Sequence, residues 1–420
     1  MTTILTLLFV IGYLAIVFEH NININKTASA LLTGVLVWTA YAMLSGDKSL
    51  VTNELGHHLA SVSEILFFLL GAMTIVELVD AHQGFKIITD KITSRNPVTL
   101  LWVVGFLAFF LSAILDNLTT AIVMITLLRK LVPDKDLRII YAGIVIVAAN
   151  AGGAWSPIGD VTTTMLWIGG QITTGAIITK LFLPSLVSAL VPLAIFSFTL
   201  KTKKLGEIHD TDTKEYSEKE AMIMFSIGIA ALLFVPIFKT ITHLPPYLGI
   251  LFGLGVVWVV SEIVHKDKDE EIRKPYTVGH ALSKIDTTSI LFFLGILLAI
   301  SALESTHILK NLALWMDQTI GNQDIIVISI GLASAIIDNV PLVAASMGMY
   351  DLATYPTDHR IWEFLAYCAG TGGSILIIGS AAGVAVMGME KINFIWYFKK
   401  FTLITALGYF AGAGVYILLN

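Results

Sequence analysis

Charge is what this chain has least of. Only 14% of its 420 residues are Asp, Glu, Lys or Arg, against about 25% in a soluble domain. No stretch is long and polar enough to build one. A single cysteine, Cys368, rules out an intrachain disulfide framework. No P-loop, dinucleotide fingerprint or zinc-type His/Cys spacing occurs, which argues against ATP-driven transport by this chain alone and gives no cofactor to expect. The apolar start, Met1 to Phe18, lacks a basic leader and a small-residue cleavage site, so it reads as a first span rather than a signal peptide.

What is present is apolar. Hydrophobic residues make up 56% of the chain, mean hydropathy is +0.81, and apolar runs beyond ~18 residues recur from end to end. The fold class is therefore all-α integral membrane protein. Spans are expected at about 2–19, 27–44, 63–80, 138–170, 175–200, 219–241, 246–264, 287–303, 361–389 and 394–418. Two further apolar segments, about 97–131 and 323–350, are interrupted near their middles by Asp-Asn pairs. Each reads as a re-entrant hairpin, two half-helices meeting at a polar tip, which membrane depth tolerates only against protein or a water-filled cavity.

The tips are one signal written twice: Ser112-Ala-Ile-Leu-Asp-Asn-Leu118 against Ser334-Ala-Ile-Ile-Asp-Asn-Val340. Ile65-Leu-Phe-Phe-Leu69 likewise matches Ile290-Leu-Phe-Phe-Leu294, and Ile158-Gly159 matches Ile378-Gly379, with offsets falling only from 225 to 222 to 220. The chain thus divides into repeats at 1–200 and 219–420, joined by a cytoplasmic linker at 201–218. Five spans plus a hairpin in each half make the second half inverted relative to the first, with broken helices at about 138–170 and 361–389 near the midplane. Opening the first hairpin to the cytoplasm leaves only Lys48, Lys180, Lys239, Lys310 and Arg360 outside, out of 26 basic residues. The positive-inside rule therefore places both termini outward in a cell's cytoplasmic (inner) membrane. The polar stretches 201–218 and 265–286 become solvated inner loops, and His57 and His58 fall in an outer loop.

Carboxylates at membrane depth carry the chemistry, since each costs roughly 2.5–3.5 kcal/mol to insert. Asp116 and Asp338 occupy the hairpin tips beside Asn117 and Asn339. The segment 150–164 holds Gly152, Gly153, Pro157 and Gly159, which break a helix and surround the break with Asn150, Ser156, Asp160, Thr162 and Thr163. Carboxylate, hydroxyl and freed carbonyl oxygens suit a hard cation such as Na⁺. The partner break offers Thr371, Ser374 and Ser380, with Ser380 in the place of Asp160, so the first half should hold the proton-coupled site. Exchange then follows if Na⁺ and a proton compete for Asp116 and Asp160, with Asp338 adding a protonatable group. Plainer readings stand beside these. Asp338 caps a half-helix; Asn117 and Asn339 are caps as readily as ligands; threonines bond their own backbone; glycine pairs serve close packing. Glu77, Asp80, His82 and Glu304, with His307, sit near helix ends, where interfacial ion pairing is the default and proton relay or pH sensing the minority reading.

The segments Phe67 to Glu77, Leu115-Asp-Asn-Leu-Thr-Thr120, Asn150 to Asp160 and Ile337-Asp-Asn-Val-Pro341 resemble the NhaD-type Na⁺/H⁺ antiporters, of the ion transporter superfamily. The resemblance covers nearly the whole chain. It implies a scaffold subdomain, a transport subdomain carrying the hairpins, a homodimer, and exchange of Na⁺, often Li⁺, for H⁺, best at alkaline pH. It adds Ser334 and Ser374 to the important positions and supports Na⁺ at Asp116, Asn117 and Asp160. The partners are then the bilayer, Na⁺, Li⁺ and H⁺, with no nucleic acid and no enzymatic step. An arsenite or other oxyanion carrier and a Na⁺-coupled dicarboxylate symporter are the alternatives within the superfamily. A tip carboxylate would repel a dicarboxylate. An intramembrane aspartyl protease would need Tyr-Asp and Gly-x-Gly-Asp contexts, which these three buried aspartates lack, and a channel fits poorly with inverted broken helices.

Overall fold

The computed structural model describes residues 1–89, 91–92, 94, 96–201 and 217–420. Most of the linker expected at 201–218 lies outside them. Among the described residues there are no strands, and nine helices are long and apolar enough to cross a membrane.

Among the described residues, seventeen helices have eight or more residues. The first half runs α1 (Thr2–Val17), α2 (Lys26–Leu44), α3 (Lys48–Ala81), α4 (Pro97–Leu115), α5 (Asn117–Leu131), α6 (Lys135–Gly153), α7 (Val161–Ile168) and α8 (Thr174–Leu200). The second runs α9 (Glu218–Thr242), α10 (Pro246–Val264), α11 (Thr287–Ser305), α12 (Ile308–Ile320), α13 (Gln323–Ala333), α14 (Asn339–Met349), α15 (Arg360–Gly372), α16 (Ala381–Glu390) and α17 (Leu403–Leu419). Two bodies result: α1, α2, α3, α9, α10 and α11 pack chiefly on one another, while α4 to α8 and α13 to α17 form the second. They meet where α11 touches α14 and α3 touches α7.

Local chemistry sets the boundaries. Asn96 accepts the amides of Val98 and Thr99 to start α4, with Pro97 in its first turn. The α4–α5 break falls at Asp116, whose φ of 87° and ψ of 161° lie in a region suited to glycine. In α6 and α15, glycine is required for close approach. A Cβ on Gly152 would overlap the Phe109 carbonyl oxygen, and one on Gly372 that of Gly331. The same braces recur in both halves: Ser112 Oγ donates to the Ala149 carbonyl (2.6 Å) and Ser334 Oγ to that of Ala369 (3.1 Å).

Three expectations need correction. The span expected at 63–80 is only the C-terminal part of α3, a 34-residue helix about 51 Å long at 1.5 Å per residue. His57 and His58 therefore lie within a helix rather than a loop, and His58 Nε2 is 2.9 Å from Ser305 Oγ. Hydropathy missed the first half of α3 because polar residues dilute it. Helix α12 was not anticipated either; Lys310 and Asp317 depress its hydropathy, and it buries only Leu309 and Ala313. Finally, 265–286 is largely exposed, as expected, but is not an irregular loop. It contains short helices at Glu270–Arg273 and Val278–Lys284 and docks back through Ser261 Oγ, which donates to the Tyr276 carbonyl (2.9 Å).

Candidate cation site

Four half-helices begin next to one another in the interior, and their N-caps are Asp116 (α5), Asp160 (α7), Asp338 (α14) and Ser380 (α16). A helix N-terminus carries unsatisfied amides and about half a positive charge. Three of these four ends are therefore met by a resident carboxylate. Asp116 accepts the Thr119 amide and hydroxyl, each at 2.8 Å. Asp160 Oδ1 accepts the Thr162 amide (2.8 Å) and hydroxyl (2.7 Å). Asp338 Oδ1 accepts the Val340 amide at 3.2 Å.

The capping thus falls to the aspartates and leaves the neighbouring asparagines for other work. Asn117 Nδ2 donates to Asp160 Oδ2 (2.6 Å) and to Asn150 Oδ1 (2.9 Å). From the other half, Asn339 Nδ2 approaches the same Asp160 oxygen at 3.5 Å. Asn150 Nδ2 donates to Ser380 Oγ at 2.9 Å. One polar network therefore joins the α4–α5 break, both broken helices and the start of α14 around Asp160, which is 2% exposed.

Asp116, Asn117, Thr119 and Asp160 face a single cavity. Its walls are apolar, formed largely by Phe68, Leu69, Met73, Leu232, Val235 and Phe293. A second cleft shares Met73, Leu118 and Thr119 with it and leads past Glu77 and Asp80 towards Lys284. An ionised carboxylate has about four lone-pair sites, so Asp116 keeps acceptor capacity after its cap is made, whereas the two sites left on Asp160 are taken by Asn117 and, more loosely, Asn339. Among the described residues there is no group of three or more His, Cys, Asp or Glu of the kind that holds a tightly bound metal. A cation here would draw on two carboxylates, amide and hydroxyl oxygens, and water.

Other expected residues serve the backbone in this geometry. Ser156 Oγ donates to the Ala113 carbonyl (2.5 Å), Ser374 Oγ to that of Thr371 (2.7 Å), and Thr163 Oγ1 to that of Asp160 (2.9 Å). Ser334 does the same with Gly331 and Ala369. Asp338 pairs with Lys26, whose Nζ is 3.5 Å from Oδ2. Glu304 is exposed on α11 and is not among the residues lining the cavity. His82 turns away from Glu77 and Asp80. Its Nδ1 donates to the Leu78 carbonyl (2.6 Å), and its Nε2 is 2.8 Å from Nε2 of His265. Burial lowers the His82 pKa and pushes that of His265 down to about 4. Sequence reasoning missed Lys26, Thr119 and His265 as partners. Only the Asp-x-x-Thr spacing of a cap gave a signal for Thr119; the other two pairings join segments far apart in the chain.

Known proteins share this architecture. A protein-family model described as a citrate transporter, CitMHS, matches residues 13–362. Sodium/proton antiporter 2 of Arabidopsis thaliana is 51% identical over 98% of this chain and 98% of its own length. Sodium/proton antiporter 1 of the same plant is 54% identical over 98% of this chain and 72% of its own length. The Na⁺/H⁺ antiporter NhaD of Alkalimonas amylolytica is 30% identical, covering 98% of this chain and 89% of that protein. Among solved structures, the Alcanivorax borkumensis YdaH transporter matches with a TM-score of 0.56 at 14% identity, over 90% of each chain. That likeness shows the fold.

Proposed function

From the premise that this chain is a multi-pass membrane protein belonging to the NhaD-type sodium/proton antiporter family, we propose that it exchanges Na⁺, and Li⁺ with it, for H⁺ across the cytoplasmic membrane. Asp116 and Asp160 are the shared ligands. When no cation is bound, Asn117 satisfies Asp160 through its amide. When Na⁺ arrives, the side chain turns to offer its carbonyl oxygen, and Asn150 and Thr162 complete the polar surround. A proton and Na⁺ cannot hold the same carboxylate at once, so release of one admits the other. The two bodies move against each other to alternate access, with hairpins 97–131 and 323–350 re-entrant and the halves inverted, both termini outward. Assembly as a homodimer, implied by the family resemblance, belongs to the same reading.

One observation carries the choice of cation over anion. A bare half-helix N-terminus attracts anions, and the citrate description of the matching family model favours that second reading. Here Asp116, Asp160 and Asp338 already occupy three of the four ends, so a tricarboxylate would meet like charge. Proteoliposomes of the purified chain with an imposed ΔpH test the proposal. Addition of Na⁺ or Li⁺ collapses the gradient at alkaline pH. Na⁺-coupled uptake of citrate or succinate, with no effect of Na⁺ on the gradient, supports the anion reading instead.

A further inference from the structure

We propose that Lys26 is a tethered counter-cation that withholds Asp338 from the transported ion, so that the site offers two carboxylates and not three. This rests on the sodium/proton reading above. Lys26 opens α2, on the body opposite the hairpins, and its Nζ lies 3.5 Å from Asp338 Oδ2, with the two side chains 27% and 18% exposed. The ring of Phe292, centred 4.7 Å from the ammonium, covers it further. The backbone under it is fixed: the Lys26 amide donates to Glu19 Oε2 (3.1 Å), Asn25 caps the helix through Thr27, and Thr27 Oγ1 donates to the Thr288 carbonyl (3.0 Å). The ammonium is thus delivered to the second hairpin tip by the first half of the chain.

The two tips are consequently unlike in charge, though alike in sequence. Asp116 has no cationic partner among the described residues. The lysine near the end of α9, Lys239, goes instead to the Trp167 carbonyl at the end of α7 and over the Trp167 ring, 4.4 Å from its centroid. Asp160 has Ser380 as its counterpart in the second half. Both differences remove negative charge from the second half and leave it in the first. Asp338 remains near enough to matter, because the next residue, Asn339, extends its amide to Asp160. An ammonium held beside it cancels a charge that Asp160 and an entering cation would otherwise feel.

The test is a charge cycle in proteoliposomes at alkaline pH, reading the apparent KM for Na⁺ and the maximal rate for wild type, Lys26→Met, Asp338→Asn and the double variant. Lys26→Met exposes a carboxylate and lowers KM, by about tenfold for one uncompensated unit charge; Asp338→Asn exposes an ammonium and raises it to a similar degree. The double variant returns to within about twofold of wild type, and Lys26→Arg matches wild type. A pair that serves only to position the hairpin would move both single variants in the same direction, chiefly in maximal rate, and that outcome overturns the inference; so does an unshifted KM in both. Should Lys26→Met fail to accumulate, Asp338→Asn still decides by the sign of its KM shift, with Lys26→Arg expected at the wild-type value. A wild type indifferent to Na⁺ would remove the sodium reading itself, whereas an active wild type with unshifted variants removes only the role of Lys26.

Discussion

Asn117 donates to Asp160 across 2.6 Å, and by that bond the start of α5 is fastened to the start of α7. The same amide reaches Asn150, so a single side chain organises three elements that enter the interior separately. Replacing it with alanine leaves Asp160 Oδ2 with Asn339 alone, at 3.5 Å. Asn117→Ala should cost about 1–3 kcal/mol, the usual penalty for an unsatisfied buried acceptor. Thermal unfolding in detergent measures that loss, and Na⁺-driven exchange in proteoliposomes should fall with it. Asp160→Asn should reach the membrane folded yet abolish exchange, because an amide neither binds the exchanged proton nor carries the charge a cation needs.

Asp116 occupies a backbone conformation, φ 87° and ψ 161°, that costs an ordinary residue about 1–3 kcal/mol. Under the proposed exchange its carboxylate serves there as a cation ligand. Both Asp116→Gly and Asp116→Ala remove the carboxylate and should lose exchange. Their stabilities should differ, however, with the glycine variant unfolding at the higher temperature by an amount equivalent to about 1–3 kcal/mol. Equal melting temperatures would show that the conformation carries no strain.

Gly152 and Gly372 let the broken helices lie against the backbone of α4 and α13. A methyl group overlapping a carbonyl oxygen forces the helices apart, and overpacking of this kind costs typically about 1–3 kcal/mol. Gly152→Ala should therefore lower both the melting temperature and the exchange rate, the second because Asn117 and Asp160 are drawn out of register. Alanine at Gly388, where nothing lies within 4 Å of the added carbon, is the control and should leave both unchanged.

The positions of these glycines and aspartates were legible in the sequence because membrane depth makes charge and helix breaks expensive, so each had to be explained. The helix breaks at Asp116, between Gly153 and Asp160, and before Asp338 fall where the residues indicated. What each polar side chain bonds was much less legible. Ser156, Ser334 and Ser374 are of the right type for ion ligands, yet their hydroxyls are directed to carbonyls freed by the same breaks. Asn117 looked equally suited to capping, but the cap belongs to Asp116. The pairings of Lys26 with Asp338 and of His82 with His265 depend on packing between distant segments, for which local pattern contains no information.

His82 and His265 join the ends of α3 and α10 as a neutral pair. With its Nδ1 proton given to Leu78, His82 can accept at Nε2, and His265 donates. His265 Nδ1 is buried without a partner. Tyr276 stacks on His265, 4.4 Å between ring centroids, and Lys268, Arg273 and Glu220 are the charges felt there. Because burial, reinforced by Lys268, pushes the His265 pKa down to about 4 from an ordinary value near 6.5, the folded state favours the neutral ring. Its contribution is complete above about pH 6.5 and is lost as pH falls towards about 4. Melting temperature measured from pH 8 to pH 4 (about the span of that window) should decline on the acid side, and His265→Phe should flatten the decline. An unchanged acid limb would mean that the pair does not titrate with unfolding.

The claim on which all of this depends is that a proton and Na⁺ occupy the carboxylates of Asp116 and Asp160 by turns. The most direct test is the apparent KM for Na⁺ in proteoliposomes, followed as pH is lowered from the alkaline range. Competition predicts a KM that rises by up to about tenfold per pH unit while the rate at saturating Na⁺ holds steady. A KM indifferent to pH, with only the maximal rate falling, would contradict a shared site.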